Sequence, residues 1–278
     1  MSDQDKFLDN LDEVAAHLQN GEKPAPVETE KPKGNKRFVH LGWVGMMLAF
    51  ALGKMKFLFM GLKLMKFSSI LTMLVSIWAY SLFFGWPFAV GFVLLILVHE
   101  YGHLLAMRWL GIPAGAPTFI PFVGAVIVMK GRPRNAFIEA LVAFGGPVLG
   151  SVAALVCLLI SFALDSDFWQ ALAYTGFWIN FFNMLPISPL DGGRIVGAFS
   201  RKMWIVGFLI GIPAFWYSRS PMLFLILLVG LLGLIGRHKE REGYYDIPQE
   251  TKVKIAVAYF TLAAVLASAM ALTHLTLE

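Results

Sequence analysis

Apolar residues fall along this chain in long, nearly unbroken runs, each close to the roughly 20 residues a helix needs to cross a bilayer. From Phe67 onward such runs recur at about 67–85, 87–107, 136–163, 169–188, 203–217, 220–236 and 253–275. The fifth is short and is interrupted by Pro213. Runs apolar all round lack the polar face of a soluble surface helix. They predict an all-α polytopic membrane protein with about six to seven transmembrane helices.

Two stretches depart from this pattern within the apolar region. Gly111 to Gly131 holds Pro113, Pro117 and Pro121 and then the β-branched run Val123 to Met129, too short and too broken for a span. It predicts a small membrane-associated β-hairpin or re-entrant loop, which must be buried in protein or line a wet cavity. Asn183 to Arg194 carries Pro186, Pro189, Gly192 and Gly193 at the end of the fourth run. Those residues stop a regular helix and leave free backbone groups near membrane depth.

The chain before these runs is of another kind. Residues 1–37 combine a short amphipathic pattern (Phe7, Leu8, Leu11, Val14, Leu18) with a Pro-, Glu- and Lys-rich tract, expected to be a polar and largely disordered tail. The acidic opening has neither the basic nor the apolar region of a secretory signal. Residues 38–66 are apolar but punctuated by Lys54, Lys56, Lys63 and Lys66, as in a basic amphipathic segment lying at the interface; an extra span is the alternative. Residues 67–200 then form the expected core, and 201–278 add further transmembrane helices.

Composition agrees. The chain is 58% hydrophobic and only 15% charged, with a mean hydropathy of +0.68, against roughly 25% charged residues in a soluble domain. The net charge of +5 resides in lysines and arginines flanking the runs. No basic stretch is interleaved with aromatics on a polar background, so a nucleic-acid partner is not expected. A lone Cys157 excludes both an internal disulfide and a cysteine-rich metal site. The N-terminal region, the stretch from Arg108 to Arg134, Arg194 to Lys202 and Arg237 to Arg241 all fall on one side of the bilayer. By the positive-inside rule that side is the cytoplasm.

One run carries chemistry. His99-Glu100-Tyr101-Gly102-His103 lies inside it, where ionisable groups are disfavoured by several kcal/mol. On a helix His99 and His103 share a face one turn apart, so both imidazoles reach one metal ion. Glu100, rotated by roughly 100° from His99, is placed to act on a water rather than to ligate. The pattern is the H-E-x-x-H arrangement of zinc hydrolases, here about 13 Å of helix from the basic flank at Arg108.

A hydrolytic zinc site commonly has three protein ligands and one open position. Asp191, in the broken segment on the same predicted side, is the best candidate for the third, although Pro-Leu-Asp-Gly is also ordinary turn chemistry. Asp165 and Asp167 fall on the opposite side, and Glu139 follows a basic loop where solvent should reach it. Asn183 either caps backbone freed by Pro186 or serves the site.

With these two motifs the chain resembles the site-2 protease family, the intramembrane zinc metalloproteases of peptidase family M50. The resemblance rests on His99 to His103 and on Asn183-Met-Leu-Pro186 continuing to Leu190-Asp191-Gly192-Gly193. Between them, Gly145-Gly146-Pro147 is similar to the family's glycine-proline element, with Gly150 where many members carry Asn. The resemblance implies a three-helix core, one zinc ion per chain held by His99, His103 and Asp191, and Glu100 as the catalytic base. It implies a substrate that is itself a membrane protein, single-span or polytopic, cut within or beside a span. The Gly124, Ala125 and Val126 strand would pair with the unwound substrate, and Asn183 would bind its backbone or steady the oxyanion. Many members add a PDZ or CBS domain, and no stretch here is expected to form either. Two other readings stay open: an inactive relative that binds membrane proteins, and a metal carrier. A carrier predicts charges on several spans and repeated halves, neither of which the sequence has.

Overall fold

A computed structural model describes residues 69–131, 133–236 and 242–275. The expected tail at 1–37 and interfacial segment at 38–66 lie outside the described residues. Among those described are eight helices and one two-stranded sheet.

Helix α1 (Ser69–Phe84) is followed directly by α2 (Trp86–Trp109). The break between them is Gly85 at a positive φ of 76°, with Pro87 in the first turn of α2. Strands β1 (Thr118–Ile120) and β2 (Gly124–Val126) form an antiparallel hairpin with Phe119 opposite Ala125. The hairpin is clipped to α1, because the Phe119 N–H donates to Thr72 Oγ1 (3.2 Å) and the Phe122 N–H to Tyr80 Oη (3.2 Å). The expected hairpin is therefore present, though only three residues of the Val123–Met129 run form the strand.

Helix α3 (Ala136–Leu164) starts where the Asn135 side chain accepts from the Ile138 N–H (3.0 Å). Its buried face is a stripe of small residues: Ala136, Ala140, Ala143, Gly146, Gly150 and Ala154. Small residues at helical spacing let neighbouring backbones approach closely, which is how helices associate where lipid removes the hydrophobic drive. α3 accordingly packs against α2, α4 (Asp167–Asn183), α5 (Asp191–Phe199) and α8 (Gln249–Leu275). Its opposite face exposes Val148, Val152, Leu155, Leu159 and Phe162, as expected of a lipid-facing surface. Helices α6 (Met203–Ser218) and α7 (Pro221–Gly236) pack on each other, and α7 covers Ile187 with Leu223, Ile226 and Leu227.

All seven expected spans are helices. Three are long and apolar enough to cross a bilayer unaided: 24 residues in α2, 29 in α3 and 26 within α8. α1, α6 and α7 are shorter apolar helices. Multiple apolar helices around a buried core make this a multi-pass integral membrane protein. The fourth run ends earlier than expected, at Asn183 rather than 188, because Pro186 lacks an N–H and disfavours helical backbone before it. A new helix then opens at Asp191. Buried carbonyls at and just after the break find side-chain partners: that of Met184 accepts from Tyr259 Oη (2.5 Å) and that of Gly193, in α5, from Trp204 Nε1 (2.7 Å).

The two ends of the bundle are tied separately. At one, the Ala136 N–H donates to the Tyr244 carbonyl (3.0 Å), and Arg201 lies over the Tyr245 ring at 5.0 Å. At the other, Gln170 Nε2 donates to the Thr273 carbonyl (3.4 Å). The starts of α3, α6 and α8 thus share one end, as the distribution of basic residues predicts.

Candidate metal centre

α2 carries His99 and His103 on its inner face, and both are buried along with Asp191. Asp191 reaches them from the first turn of α5, the helix that the proline break redirects. The separations are nearly equal. His99 Nε2 and His103 Nε2 are 3.2 Å apart, and each is 3.2 Å from Asp191 Oδ2.

Hydrogen bonds on the far sides of the rings decide what faces inward. His103 Nδ1 lies 2.8 Å from the Val142 carbonyl, an obligate acceptor, so Nδ1 carries the proton. His99 Nδ1 lies 2.8 Å from Asn180 Oδ1. The amide orientation follows from its other end, where Asn180 Nδ2 donates to the Gly176 carbonyl (2.7 Å). His99 is therefore also protonated at Nδ1. With both rings neutral, two Nε2 lone pairs and a carboxylate oxygen converge, an arrangement that a bound cation satisfies.

The donor set fits zinc. Bonds of about 2.0–2.1 Å in tetrahedral geometry place ligand atoms about 3.3 Å apart, close to the 3.2 Å triangle present. Two imidazoles and a carboxylate leave a fourth position free, as in hydrolytic sites. Among the described residues, His99, His103 and Asp191 are the one group of His, Cys, Asp or Glu side chains so gathered.

Glycines allow this convergence. A β-carbon at Gly102 would strike the Gly145 carbonyl, so α2 and α3 cross there backbone to backbone. A β-carbon at Gly146 would strike Nε2 of both histidines, so the ligand atoms rest directly on the α3 backbone. The glycine-proline element thus floors the site.

Glu100 follows His99 on α2, half-buried, outside the ligand triangle and within electrostatic range of His99, His103, Asp191 and Arg194. Arg194, one turn after Asp191, directs Nη1 towards Asp191 Oδ1 (3.8 Å) and Nε to Glu139 Oε1 (3.2 Å). Tyr244 Oη completes this group by donating to Glu139 Oε2 (2.7 Å). Glu139 is thus half-buried in an ion pair instead of solvated as its basic surroundings suggested: α5 folds back over the start of α3 and brings Arg194 to it.

Asn183 ends α4 half-buried, with Nδ2 donating to the Ile179 carbonyl of its own helix (3.0 Å). Gly124, Ala125 and Val126 form β2, which packs beside α2. Phe119 sends its N–H away from β2, so the Phe119–Ala125 pair is the non-hydrogen-bonded kind and Ala125 presents its own N–H and C=O to the outer edge. Asn180 escaped the sequence reading. The signal is a polar amide within an apolar run, between Ile179 and Phe181, where such a group needs a hydrogen-bond partner.

Two histidines one turn apart, an intervening glutamate and an aspartate from a second helix form a buried three-donor metal centre of the type zinc hydrolases use. Residues 87–166 and 164–204 match the model of peptidase family M50. A zinc metalloprotease of Methanocaldococcus jannaschii is 28% identical over 165 residues, 58% of this chain and 47% of the relative. Rip3 of Mycobacterium tuberculosis is 30% identical over 143 residues, 48% of this chain and 36% of the relative. The chain thus matches less than half the length of either. Among solved structures, the site-2 protease from Methanocaldococcus jannaschii aligns over 63% of this chain and 89% of its own, with 21% identity and a TM-score of 0.42.

Proposed function

We propose that this protein is a zinc-dependent intramembrane endopeptidase that cuts a membrane protein, single-span or polytopic, within or beside a span. The observation that carries this reading is the 3.2 Å triangle of His99 Nε2, His103 Nε2 and Asp191 Oδ2, buried among apolar helices and adjoined by Glu100.

One zinc ion per chain would be held by these three side chains, and when bound it supplies Lewis acidity at the scissile carbonyl and lowers the pKa of water. Glu100 takes a proton from the attacking water as the oxygen–carbon bond forms. It delivers that proton to the amide nitrogen as the carbon–nitrogen bond breaks, yielding a carboxylic acid and an amine, which become carboxylate and ammonium when the acid's remaining proton passes to the amine. Helical substrate shields its own peptide groups, so the segment to be cut must first be extended. Ala125 on the open edge of β2 offers an N–H and a C=O for such a segment to pair with as an added strand. Asn183, at the break between α4 and α5, would bind substrate backbone or steady the oxyanion with its carboxamide. The lysines and arginines flanking the apolar runs favour a cytoplasmic N-terminus and a site that opens to the cytoplasm, which in a bacterium means the inner membrane.

Co-expression with a single-span substrate tests the assignment. Glu100→Gln is expected to abolish cleavage while zinc stays bound, and Asp191→Asn to lose both zinc and cleavage. Full cleavage by either variant overturns the role given to that residue.

A further inference from the structure

We infer that Asn180 is the positioning residue of the metal centre: its carboxamide fixes the tautomer and aim of His99, from a seat that Gly150 vacates. The inference rests on the zinc reading above.

Asn180 is almost fully buried, 2% exposed, in the last turn of α4. Neither polar end is idle. Nδ2 donates to the Gly176 carbonyl one turn back (2.7 Å), which turns Oδ1 across to α2 and onto His99 Nδ1 (2.8 Å). Oδ1 has no proton to give, so His99 holds a proton at Nδ1, and the neutral ring presents Nε2 as a lone pair towards Asp191 Oδ2. His103 receives the same service from the Val142 carbonyl of α3. One ligand is thus steadied by backbone and the other by a replaceable side chain.

The opposing wall is built to match. A β-carbon at Gly150 would collide with Oδ1, Nδ2 and Cγ of Asn180, so the amide occupies the volume that a side chain from α3 would take. Positions 150 and 180 are two routes into one space beside His99, and this chain uses the route from α4. Partners of this kind commonly change metal affinity by 10–100-fold when removed.

A packing role and a positioning role predict opposite rankings. Asn180→Leu keeps the volume and removes the acceptor, whereas Asn180→Asp keeps the acceptor and adds a charge that packing alone would resist. Zinc affinity of the purified full chain is read by competition with a chelator, together with the visible spectrum after cobalt substitution. Asn180→Asp is expected to stay within several-fold of the unaltered protein, and Asn180→Leu to bind 10–100-fold more weakly with a changed cobalt spectrum. Unchanged affinity in Asn180→Leu, or equal losses in both, overturns the inference.

Should the leucine variant fail to fold, a double change decides. Gly150→Asn with Asn180→Gly offers the amide from α3 and is expected to recover zinc affinity that Asn180→Gly alone loses. Equal affinities for single and double variants overturn the inference. An unaltered protein that binds no zinc overturns instead the reading on which it rests.

Discussion

Adding one methyl group to a helix that carries no ligand should disable the site. Gly146 lies on α3, and a β-carbon there would come 2.7 Å from His99 Nε2 and 2.5 Å from His103 Cε1. Ordinary contact begins at 3.4 Å, so each ring would have to retreat by about 0.7 Å or more, against a tolerance of about 0.2 Å in metal–ligand distances. The rings have little freedom to retreat, since Asn180 and Val142 hold their outer nitrogens at 2.8 Å. A misplacement approaching 1 Å at a reacting centre costs on the order of 100-fold in rate. Gly146→Ala is therefore expected to lower zinc affinity at least 10-fold and cleavage about 100-fold. The helix itself should not suffer, because alanine is favoured over glycine in a helix by up to about 1 kcal/mol. Gly233→Ala on α7 is the control: its β-carbon meets nothing nearer than Ser188 Oγ at 3.8 Å, and it should leave both quantities unchanged. Zinc quantitation and cleavage of a model span, measured on both variants in the same detergent, provide the assay. A Gly146→Ala protein with normal zinc content and normal cleavage would refute the geometry on which the site has been built.

Two other perturbations separate substrate handling from scaffold. Ala125→Pro removes an N–H from the outer edge of β2 without touching a ligand, so cleavage should fall at least several-fold while zinc content is unchanged; normal cleavage would exclude strand addition at Ala125. Tyr259→Phe deprives the buried Met184 carbonyl of its hydroxyl partner, a loss of about 1–3 kcal/mol. A lower Tm is expected in this variant, and an unchanged Tm would show that the break between α4 and α5 does not depend on α8.

How far the sequence reveals this architecture depends on the range of the interaction involved. Each apolar run became a helix because, in lipid, a chain must satisfy its own backbone groups locally. The ends were harder. The fourth run reads as apolar through Ile187, yet the helix stops at Asn183, because the steric demand of Pro186 acts on residues before it. The hairpin was legible as extended chain from its prolines and β-branched residues. Its attachment was not, since Thr72 and Tyr80 lie 47 and 42 residues from the amides they accept from.

The same division runs through the site. His99, Glu100 and His103 are legible because one turn of helix places them, and Asp191 because a proline break delivers it to the same end. Glu139 was misplaced because its partners lie 55 and 105 residues away, at Arg194 and Tyr244, and local charge says nothing of them. Asn180 was missed for a different reason: its polarity among Phe177, Trp178, Ile179 and Phe181 was visible, but its partner on α2 was not. The hydrogen bonds that sequence cannot show are also the ones that settle the chemistry. Without Asn180 and Val142, either nitrogen of each ring could carry the proton, and a neutral ring could donate its Nε2–H to Asp191. With them, the neutral rings turn both Nε2 lone pairs towards Asp191, and three acceptors meet at 3.2 Å where a cation fits.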